Sequence, residues 1–242
     1  MIRLKTLKLI RSTEELAALP DGKLLINTIN AHSYNTARKD EMFADALRKG
    51  DALIPDGMSI VKACRLIKAD YIPIERIAGW DLFSLEMTRL NKSGGKVMFV
   101  GSNDNVLGMI KERAAKDFPN LEVRTYSPPY KAVFSEEDNN AIIDAINNSS
   151  PNLLWIGMTA PKQEKWIYQN WDALNINCHC GTIGAVFDFY AGTKDRAPLF
   201  WQKHGIEWLY RLIKEPRRMW RRYIIGNILF IFYITQEKIE AL

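Results

Sequence analysis

The chain has 242 residues, enough for one large domain or for a domain with an appendage, and its net charge is +5. With 47% hydrophobic and 25% charged residues, its composition is that of a globular protein and excludes a disordered chain. The three cysteines, Cys64, Cys178 and Cys180, lack the number and spacing of a disulfide framework or a zinc knuckle, so buried, reduced thiols are expected.

Short apolar segments alternate with amphipathic segments along the first 195 residues. Strands are predicted at residues 24–29, 52–55, 96–100, 121–126, 153–157 and 176–180. Helices are predicted over residues 33–48, from Met58, from about Asn103, and in a segment with Pro161 in its first turn. This alternation favours an α/β fold for residues 1–195, with a Rossmann-like, mostly parallel sheet and helices on both faces.

Ligands of such sheets bind outside the carboxyl ends of the strands, so the residues that follow each predicted strand carry most weight. These are Thr28 and Asn30, Asp56 and Gly57, Gly101 and Ser102, residues 157–163, and residues 181–184.

Asp56 stands at a strand end in the sequence Ile54-Pro55-Asp56-Gly57. Its carboxylate can serve as a general base, or it can cap the helix that begins at Met58. Asp directly before a helical pattern is usually a cap, and spacing alone favours that interpretation.

Two loops have features of a phosphate site. Ala160-Pro161-Lys162-Gln163-Glu164 offers a helix N-terminus, a cation and an amide to a nucleotide diphosphate, although an ordinary helix started by proline explains it equally well. Val100-Gly101-Ser102-Asn103 is compatible with backbone amides facing a phosphate or a base. Neither a Walker A signature nor a complete Gly-x-Gly-x-x-Gly occurs, which disfavours an ATPase or a nicotinamide-dependent oxidoreductase.

No metal-ligand pattern is found in the sequence. Cys178, His179 and Cys180 are neighbours on a predicted strand, so their side chains alternate between faces and do not converge on one ion. His32 and His204 are isolated, and there is no Asp-x-Asp pair. Chemistry without a metal or a cofactor is therefore expected.

The basic charge is concentrated near the end of the chain, where residues 194–222 hold nine Lys or Arg against three Asp or Glu. From about Arg196 the pattern predicts a helical appendage, residues 196–242. Arg211, Arg218 and Arg221 would share one side of a continuous helix and could clamp a diphosphate, with Pro216 as a possible break. The alternative is a solvated basic face.

Membrane association is predicted for this appendage, without a membrane span. Trp208, Tyr210, Trp220 and Tyr223 suit an interfacial belt, and the apolar run at residues 224–235 is shorter than the roughly 20 residues that cross a bilayer. Basic residues interrupt the first ten positions, which argues against a signal peptide. The protein is therefore expected at the cytoplasmic face of the membrane.

In combination, these motifs resemble the WecG/TagA/CpsF family of bacterial glycosyltransferases. The matching pieces keep family order: Thr28-Ile29-Asn30, Pro55-Asp56-Gly57, Arg76-Ile77-Ala78-Gly79-Trp80-Asp81, Ala160-Pro161-Lys162-Gln163-Glu164, Phe187-Asp188-Phe189-Tyr190-Ala191-Gly192, Arg196-Ala197-Pro198 and the arginine-rich tail. The resemblance implies inverting, metal-independent transfer from a UDP-sugar donor to a saccharide on undecaprenyl diphosphate. Such enzymes act in teichoic acid, enterobacterial common antigen, capsule and exopolysaccharide pathways.

The resemblance also implies residue roles. It makes Asp56 the base that deprotonates the acceptor hydroxyl, which reverses the interpretation from spacing. It implies that Thr28, Asn30, Arg76 and Gln163 line the substrate pocket, and the further candidates for substrate binding are Gly101, Ser102, Gly157, Lys162, Glu164 and Asp188. It implies that Arg211, Arg218 and Arg221 bind the lipid diphosphate, and the adjacent Arg217 and Arg222 are added as candidates.

Two departures from the family pattern leave the donor open. Ala31-His32-Ser33 stands where many relatives have proline or glutamate, and the glycine-rich turn reads Gly181-Thr182-Ile183-Gly184-Ala185-Val186. The donor sugar is N-acetylmannosamine, its uronic acid, or a hexose such as glucose. A homo-oligomer is possible.

The rival prediction is a nucleic-acid-binding protein without catalysis. The long apolar run that follows the basic residues argues against it, because stacking on bases does not require such a run.

Overall fold

Within residues 2–240, the part of the chain that the computed structural model describes, one parallel sheet lies between two layers of helices. Its strands are β1 (Leu24–Ile29), β2 (Ala52–Pro55), β3 (Gly95–Gly101), β4 (Leu121–Tyr126), β5 (Leu153–Gly157) and β6 (His179–Thr182). Their order across the sheet is β2-β1-β6-β5-β3-β4, and every neighbouring pair is parallel. All strands therefore end at the same edge.

The helices are α1 (Thr13–Ala17), α2 (Ala31–Ala37), α3 (Glu41–Arg48), α4 (Met58–Ile67), α5 (Gly79–Ser93), α6 (Asp104–Asp117), α7 (Glu136–Ser149), α8 (Lys162–Asn170), α9 (Gly184–Ala191), α10 (Leu199–Lys203), α11 (Glu207–Lys214), α12 (Pro216–Trp220) and α13 (Gly226–Glu240). Short 3-10 helices cover Leu4–Thr6 and Trp171–Ala173, and a π-helical turn, Arg221–Ile225, joins α12 to α13.

The predicted α/β fold with helices on both faces of a parallel sheet is confirmed. Successive side chains of β5 point to opposite faces, so Trp155 packs with Phe83 and Phe187 on one side. Leu154 and Ile156 pack with the helices on the other side. Burial of both faces explains why the strands are near-continuous apolar runs in the sequence.

The predicted helix over residues 33–48 is wrong, because this segment forms two helices. The Asn30 side chain accepts a hydrogen bond from the Ser33 N–H at 3.0 Å, so α2 begins at Ala31. The Asp40 side chain accepts one from the Phe43 N–H at 3.0 Å and starts α3. A second N-cap requires extended backbone, which interrupts the helix. The last strand is also displaced from 176–180 to His179–Thr182, the residues that pair with β5.

The end of the chain packs against its beginning. Phe230 and Ile234 of α13 are buried in one cluster with Ile2, Leu4 and Tyr34. Nearby, the Glu237 carboxylate accepts hydrogen bonds from the Leu4 N–H at 3.0 Å, the Lys5 N–H at 3.1 Å and the Tyr34 hydroxyl. The division into residues 1–195 and 196–242 stays a prediction, but the last helix shares a core with the first residues.

The basic tail is not one continuous helix. Glu215 has a non-helical backbone, with φ −131° and ψ 60°, and separates α11 from α12, which Pro216 begins. The π-helical turn then changes the helical register before α13. A spacing of seven and three residues therefore does not place Arg211, Arg218 and Arg221 on one common face.

Candidate active site

Asp56 lies at the carboxyl edge of the sheet, at the ends of β1 and β2. Its backbone N–H donates to the Ile29 carbonyl at 2.8 Å, which fixes the residue beside β1. Gly57, with φ +149°, is the N-cap residue of α4, and no side chain caps that helix. The cap interpretation of Asp56 is therefore wrong. Among the described residues, none donates a hydrogen bond to its carboxylate, and the residue is half-buried.

Arg76 lies in the loop before α5, and its charge acts on the Asp56 carboxylate. The Ile77 N–H donates to the Pro55 carbonyl at 3.1 Å, and this bond holds the loop against the end of β2. Arg76 Nη1 lies 3.1 Å from Glu207 Oε2, and the two side chains are only 15% and 18% exposed. The pair ties the first turn of α11 to the sheet.

Opposing effects act on the Asp56 carboxyl. Burial raises its pKa, and the charges of Glu207 and Asp81 add to that increase, while Arg76 and Arg222 oppose it. The net effect is a raised pKa of Asp56. A carboxylate with a raised pKa is a stronger base than an exposed aspartate, which suits it to accept a proton.

The charge of Arg222 acts on both Asp56 and His32. Arg222 Nε is buried and has no hydrogen-bond partner among residues 2–240. Burial lowers the pKa of Arg222, and so do the neighbouring charges of Arg211 and Arg218. The pKa of His32 is lowered to about 4, by burial first and by the charge of Arg222 second. His32 is therefore a neutral imidazole at pH 7.

Thr28 and Asn30 lie beside Asp56 at the end of β1, where Thr28 pairs with Ile54 of β2. Asn30 uses its side-chain oxygen to cap α2, and its amide nitrogen remains for another partner. Their predicted contact with substrate is compatible with this placement and stays a prediction.

A second candidate region lies where β3 and β5 end. The chain leaves β3 towards β4 on one side and leaves β5 towards β6 on the other, which is the strand arrangement that creates a ligand crevice. The backbones approach closely here: Ser102 N donates to Gly157 O at 3.1 Å, and a Cβ on Gly101 would lie 2.3 Å from that oxygen. At this edge the exposed groups are therefore the backbone atoms of Gly101, Ser102 and Gly157. The binding role predicted for these residues stays a prediction.

The side-chain amide of Gln163 forms its hydrogen bonds inside the protein. Gln163 Oε1 accepts hydrogen bonds from Met158 N at 3.1 Å and Gly184 N at 3.2 Å, and Nε2 donates to Glu164 Oε1 at 2.8 Å. These bonds join the loops that follow β5 and β6. Burial raises the pKa of Glu164 to about 7, and its Oε2 has no partner among the described residues. Gln163 thus shapes the edge of the sheet from within.

Lys162 and Asp188 are also engaged with the protein. Lys162 Nζ donates to the Lys131 carbonyl and lies 3.5 Å from the centroid of the Phe134 ring, so it holds the loop after β4. Asp188 pairs with Lys194. Direct contact of either residue with substrate is still a prediction, and in this structure each anchors a loop.

The five tail arginines have different environments. Arg211 stacks over Phe189, with its guanidinium carbon 5.8 Å from the ring centroid. Arg217, Arg218 and Arg221 are exposed, and Arg218 pairs with Glu215 at 2.8 Å. Of these five arginines, Arg222 alone has a buried Nε without a hydrogen-bond partner among the described residues.

Glu207, the partner of Arg76, was not predicted from the sequence, because nothing in the local pattern links residues so far apart.

Among the described residues, no group of three or more His, Cys, Asp or Glu side chains has a metal-binding arrangement. The expected independence of metal ions stays a prediction. None of the helices within residues 2–240 is both long enough and apolar enough to cross a membrane.

A parallel α/β sheet with one carboxylate among arginines at its carboxyl edge is typical of enzymes that act on phosphorylated substrates. The chain belongs to the glycosyl transferase WecG/TagA/CpsF family, whose family model matches residues 2–242. The protein is therefore a glycosyltransferase.

Two relatives have the name N-acetylglucosaminyldiphosphoundecaprenol N-acetyl-beta-D-mannosaminyltransferase. The one from Bacillus spizizenii is 30% identical over 200 residues, which cover 82% of this chain and 74% of the relative. The one from Bacillus subtilis is 28% identical over 214 residues, which cover 88% of this chain and 80% of the relative.

Proposed function

We propose that this protein transfers a sugar from a UDP-sugar to a saccharide linked to undecaprenyl diphosphate, in the synthesis of a cell-surface polysaccharide. The observation that supports the proposal is the half-buried Asp56 carboxylate at the carboxyl edge of the sheet, free of hydrogen bonds from the described residues and subject to the charges of Arg76 and Arg222. The names of the two Bacillus relatives support the acceptor, because they specify N-acetylglucosaminyldiphosphoundecaprenol. The donor sugar is N-acetylmannosamine, its uronic acid or a hexose such as glucose.

The proposed reaction is a single displacement at the anomeric carbon. The acceptor hydroxyl gives its proton to the Asp56 carboxylate, and its oxygen forms a bond to C1 of the donor from the face opposite the diphosphate. The bond between C1 and the diphosphate oxygen breaks, and UDP leaves with the electron pair. Attack from the opposite face inverts the configuration. Arginine side chains stabilise the negative charge that grows on the leaving diphosphate.

The outer surface of α13 supports peripheral binding to the cytoplasmic face of the membrane. Phe230 and Ile234 face the core, whereas Ile228, Ile231 and Phe232 are each more than 60% exposed. Exposed arginines of α12 precede this apolar surface in the chain. Apolar side chains beside cations suit a bilayer interface that contains anionic lipids.

The test is release of UDP from a panel of UDP-sugars by the purified protein, with a short polyprenyl diphosphate saccharide as acceptor. We expect release with at least one sugar, and only when the acceptor is present. Absence of release across the panel, combined with salt-sensitive retention on DNA, would instead favour the nucleic-acid binder.

A further inference from the structure

A second basic surface lies outside the tail, on the outer side of α4 and of the segments beside it. Residues 3–11 and 58–75 together hold seven Lys or Arg against two Asp or Glu. Six of the seven cations are exposed, and Lys5 is half-buried. Of the two acidic residues, Glu75 already accepts hydrogen bonds from the N–H and the hydroxyl of Thr13, at 2.7 and 2.8 Å. Together these segments form the α4 surface.

Most of these cations have no partner within the protein. Arg3 pairs with Glu240, and Arg65 donates to the Ile74 carbonyl at 2.8 Å. Within the part of the chain that the structure describes, the remaining five form no ion pair: Lys5, Lys8, Arg11, Lys62 and Lys68. Exposed cations that the protein itself does not neutralise attract an anionic partner.

The α4 surface is continuous with the outer side of α13. The Asp70 N–H donates to the Lys5 carbonyl at 2.9 Å, so residues 3–11 lie beside the segment that follows α4. Arg3 Nη2 lies 2.8 Å from Glu240 Oε2 of α13. In addition, α4 and α13 contribute side chains to the same buried cluster. The exposed apolar side chains of α13 therefore have unpartnered cations beside them.

Apolar side chains are also exposed among the cations of the α4 surface. Leu66, Tyr71, Ile72 and Ile74 lie within nine positions of one another, and each is at least 37% exposed. Exposed apolar groups interspersed with Lys and Arg suit a surface that rests on an anionic bilayer. A soluble polyanion such as a nucleic acid would be bound by the cations alone.

We propose that the α4 surface is a second membrane contact, which rests on anionic phospholipid together with the outer side of α13. This inference rests on the proposed membrane binding of α13 and extends it to residues outside the tail. The helix α4 begins at Met58, two residues after Asp56. A membrane along α4 and α13 therefore borders the carboxyl edge of the sheet, and two contacts rather than one orient the candidate site towards a lipid-linked acceptor.

The first test measures sedimentation of the full-length protein with vesicles of phosphatidylcholine, with and without added phosphatidylglycerol. The double variant Lys8→Gln, Lys62→Gln removes two unpartnered charges from the α4 surface. Its matched control, Lys111→Gln, Lys116→Gln, removes two exposed charges from α6, which packs on the other face of the sheet. We expect the first variant to lose at least about tenfold in partition onto anionic vesicles, and the control to lose less than about twofold. Equal losses in the two variants, or a parent that does not sediment with anionic vesicles, would overturn the inference.

The second test detects the contact directly at Tyr71. Because Cys64, Cys178 and Cys180 are buried, an environment-sensitive fluorophore attaches selectively to the thiol introduced by Tyr71→Cys. Its emission should shift to shorter wavelength on anionic vesicles, whereas the same label on Lys111→Cys should not respond. Unchanged emission at position 71, in a protein that sediments with the vesicles, would overturn the inference and leave α13 as the membrane contact.

Further outcomes separate this inference from the proposed reaction. UDP release with a short, water-soluble acceptor should be the same in the parent and in Lys8→Gln, Lys62→Gln, because these changes lie outside the candidate site. Weaker vesicle binding by this variant, with a parent that releases no UDP from any sugar, would uphold the membrane contact and overturn the proposed transfer. A parent that is a dimer in solution, and that Leu66→Ser with Tyr71→Ser converts to a monomer without a change in vesicle binding, would assign the α4 surface to a second copy of the chain and overturn the inference.

Discussion

The guanidinium of Arg76 and the carboxylate of Glu207 form an ion pair of 3.1 Å between residues 131 positions apart. The pair joins the loop before α5 to the first turn of α11, so the tail helices and the sheet edge meet at the proposed base. Glu207 also raises the pKa of Asp56, while Arg76 lowers it. This one contact therefore couples the position of the tail to the basicity of Asp56.

Replacing Glu207 with Ala should lower the free energy of unfolding by about 1–3 kcal/mol, because it leaves a largely buried Arg76 without its partner. The same change removes a negative charge near Asp56 and should shift the acidic limb of the pH-rate profile to lower pH. Urea denaturation and the pH dependence of kcat measure the two effects. The matched control is Glu122→Ala. Glu122 forms an ion pair with Arg124 in which the Arg124 side chain is 60% exposed and the Glu122 side chain 52%, so this pair should contribute less than about 1 kcal/mol. Equal losses of unfolding free energy in both variants would contradict this account.

The fold was largely predictable from the sequence because buried parallel strands are short apolar runs separated by helices. Local polar caps were harder to interpret: Asp40 starts a new helix inside an amphipathic run, whereas Asp56 precedes a helix without capping it. Both are aspartates before helical segments, and only tertiary contacts distinguish them.

The geometry of the candidate site was not predictable from the sequence. Motif order proposed Asp56 and the arginines as site residues, and the spacing argument assumed a continuous α-helix. The break at Glu215 and the π-helical turn at residues 221–225 turn Arg222 inward and leave Arg221 exposed. No periodicity in the sequence indicates a π turn, and the pair of Arg76 with Glu207 depends on the folded chain.

The buried carboxyl of Glu164 should make stability dependent on pH. Its pKa is raised from 4.5 to about 7 in the folded protein, so between these values the folded state retains a proton that the unfolded state has lost. Stability should therefore fall as pH rises from about 4.5 to 7 through this group and level off above that range. Glu164→Gln should flatten this part of the Tm profile. The exposed variant Glu122→Gln should retain the slope of the parent, and an equal slope in Glu164→Gln would show that Glu164 does not titrate there.

The two faces of α13 should respond differently to substitution. Phe230→Ala removes a buried ring and should cost about 3–5 kcal/mol of unfolding free energy. Replacing the exposed Ile228, Ile231 and Phe232 with Ser should change stability little but weaken sedimentation with anionic vesicles. Denaturation and vesicle sedimentation of both variants provide the comparison. Parent-like vesicle binding by the triple Ser variant would show that another surface contacts the membrane.

Metal removal should leave the reaction intact. The account assigns stabilisation of the leaving diphosphate to arginines, so UDP release should continue at the parent rate after dialysis against excess chelator. Loss of activity that added magnesium or manganese restores would contradict that assignment.

The most direct test of the central claim is the turnover of Asp56→Asn, measured together with its affinity for UDP. The amide retains the shape of the side chain but accepts no proton, so kcat should fall by about 10²-fold or more while UDP affinity stays near that of the parent. Because the folded-state pKa of Asp56 is raised, the ionised carboxylate costs stability at neutral pH, and the variant should have an equal or higher Tm there. A variant that binds UDP and turns over at close to the parent rate would show that Asp56 is not the base.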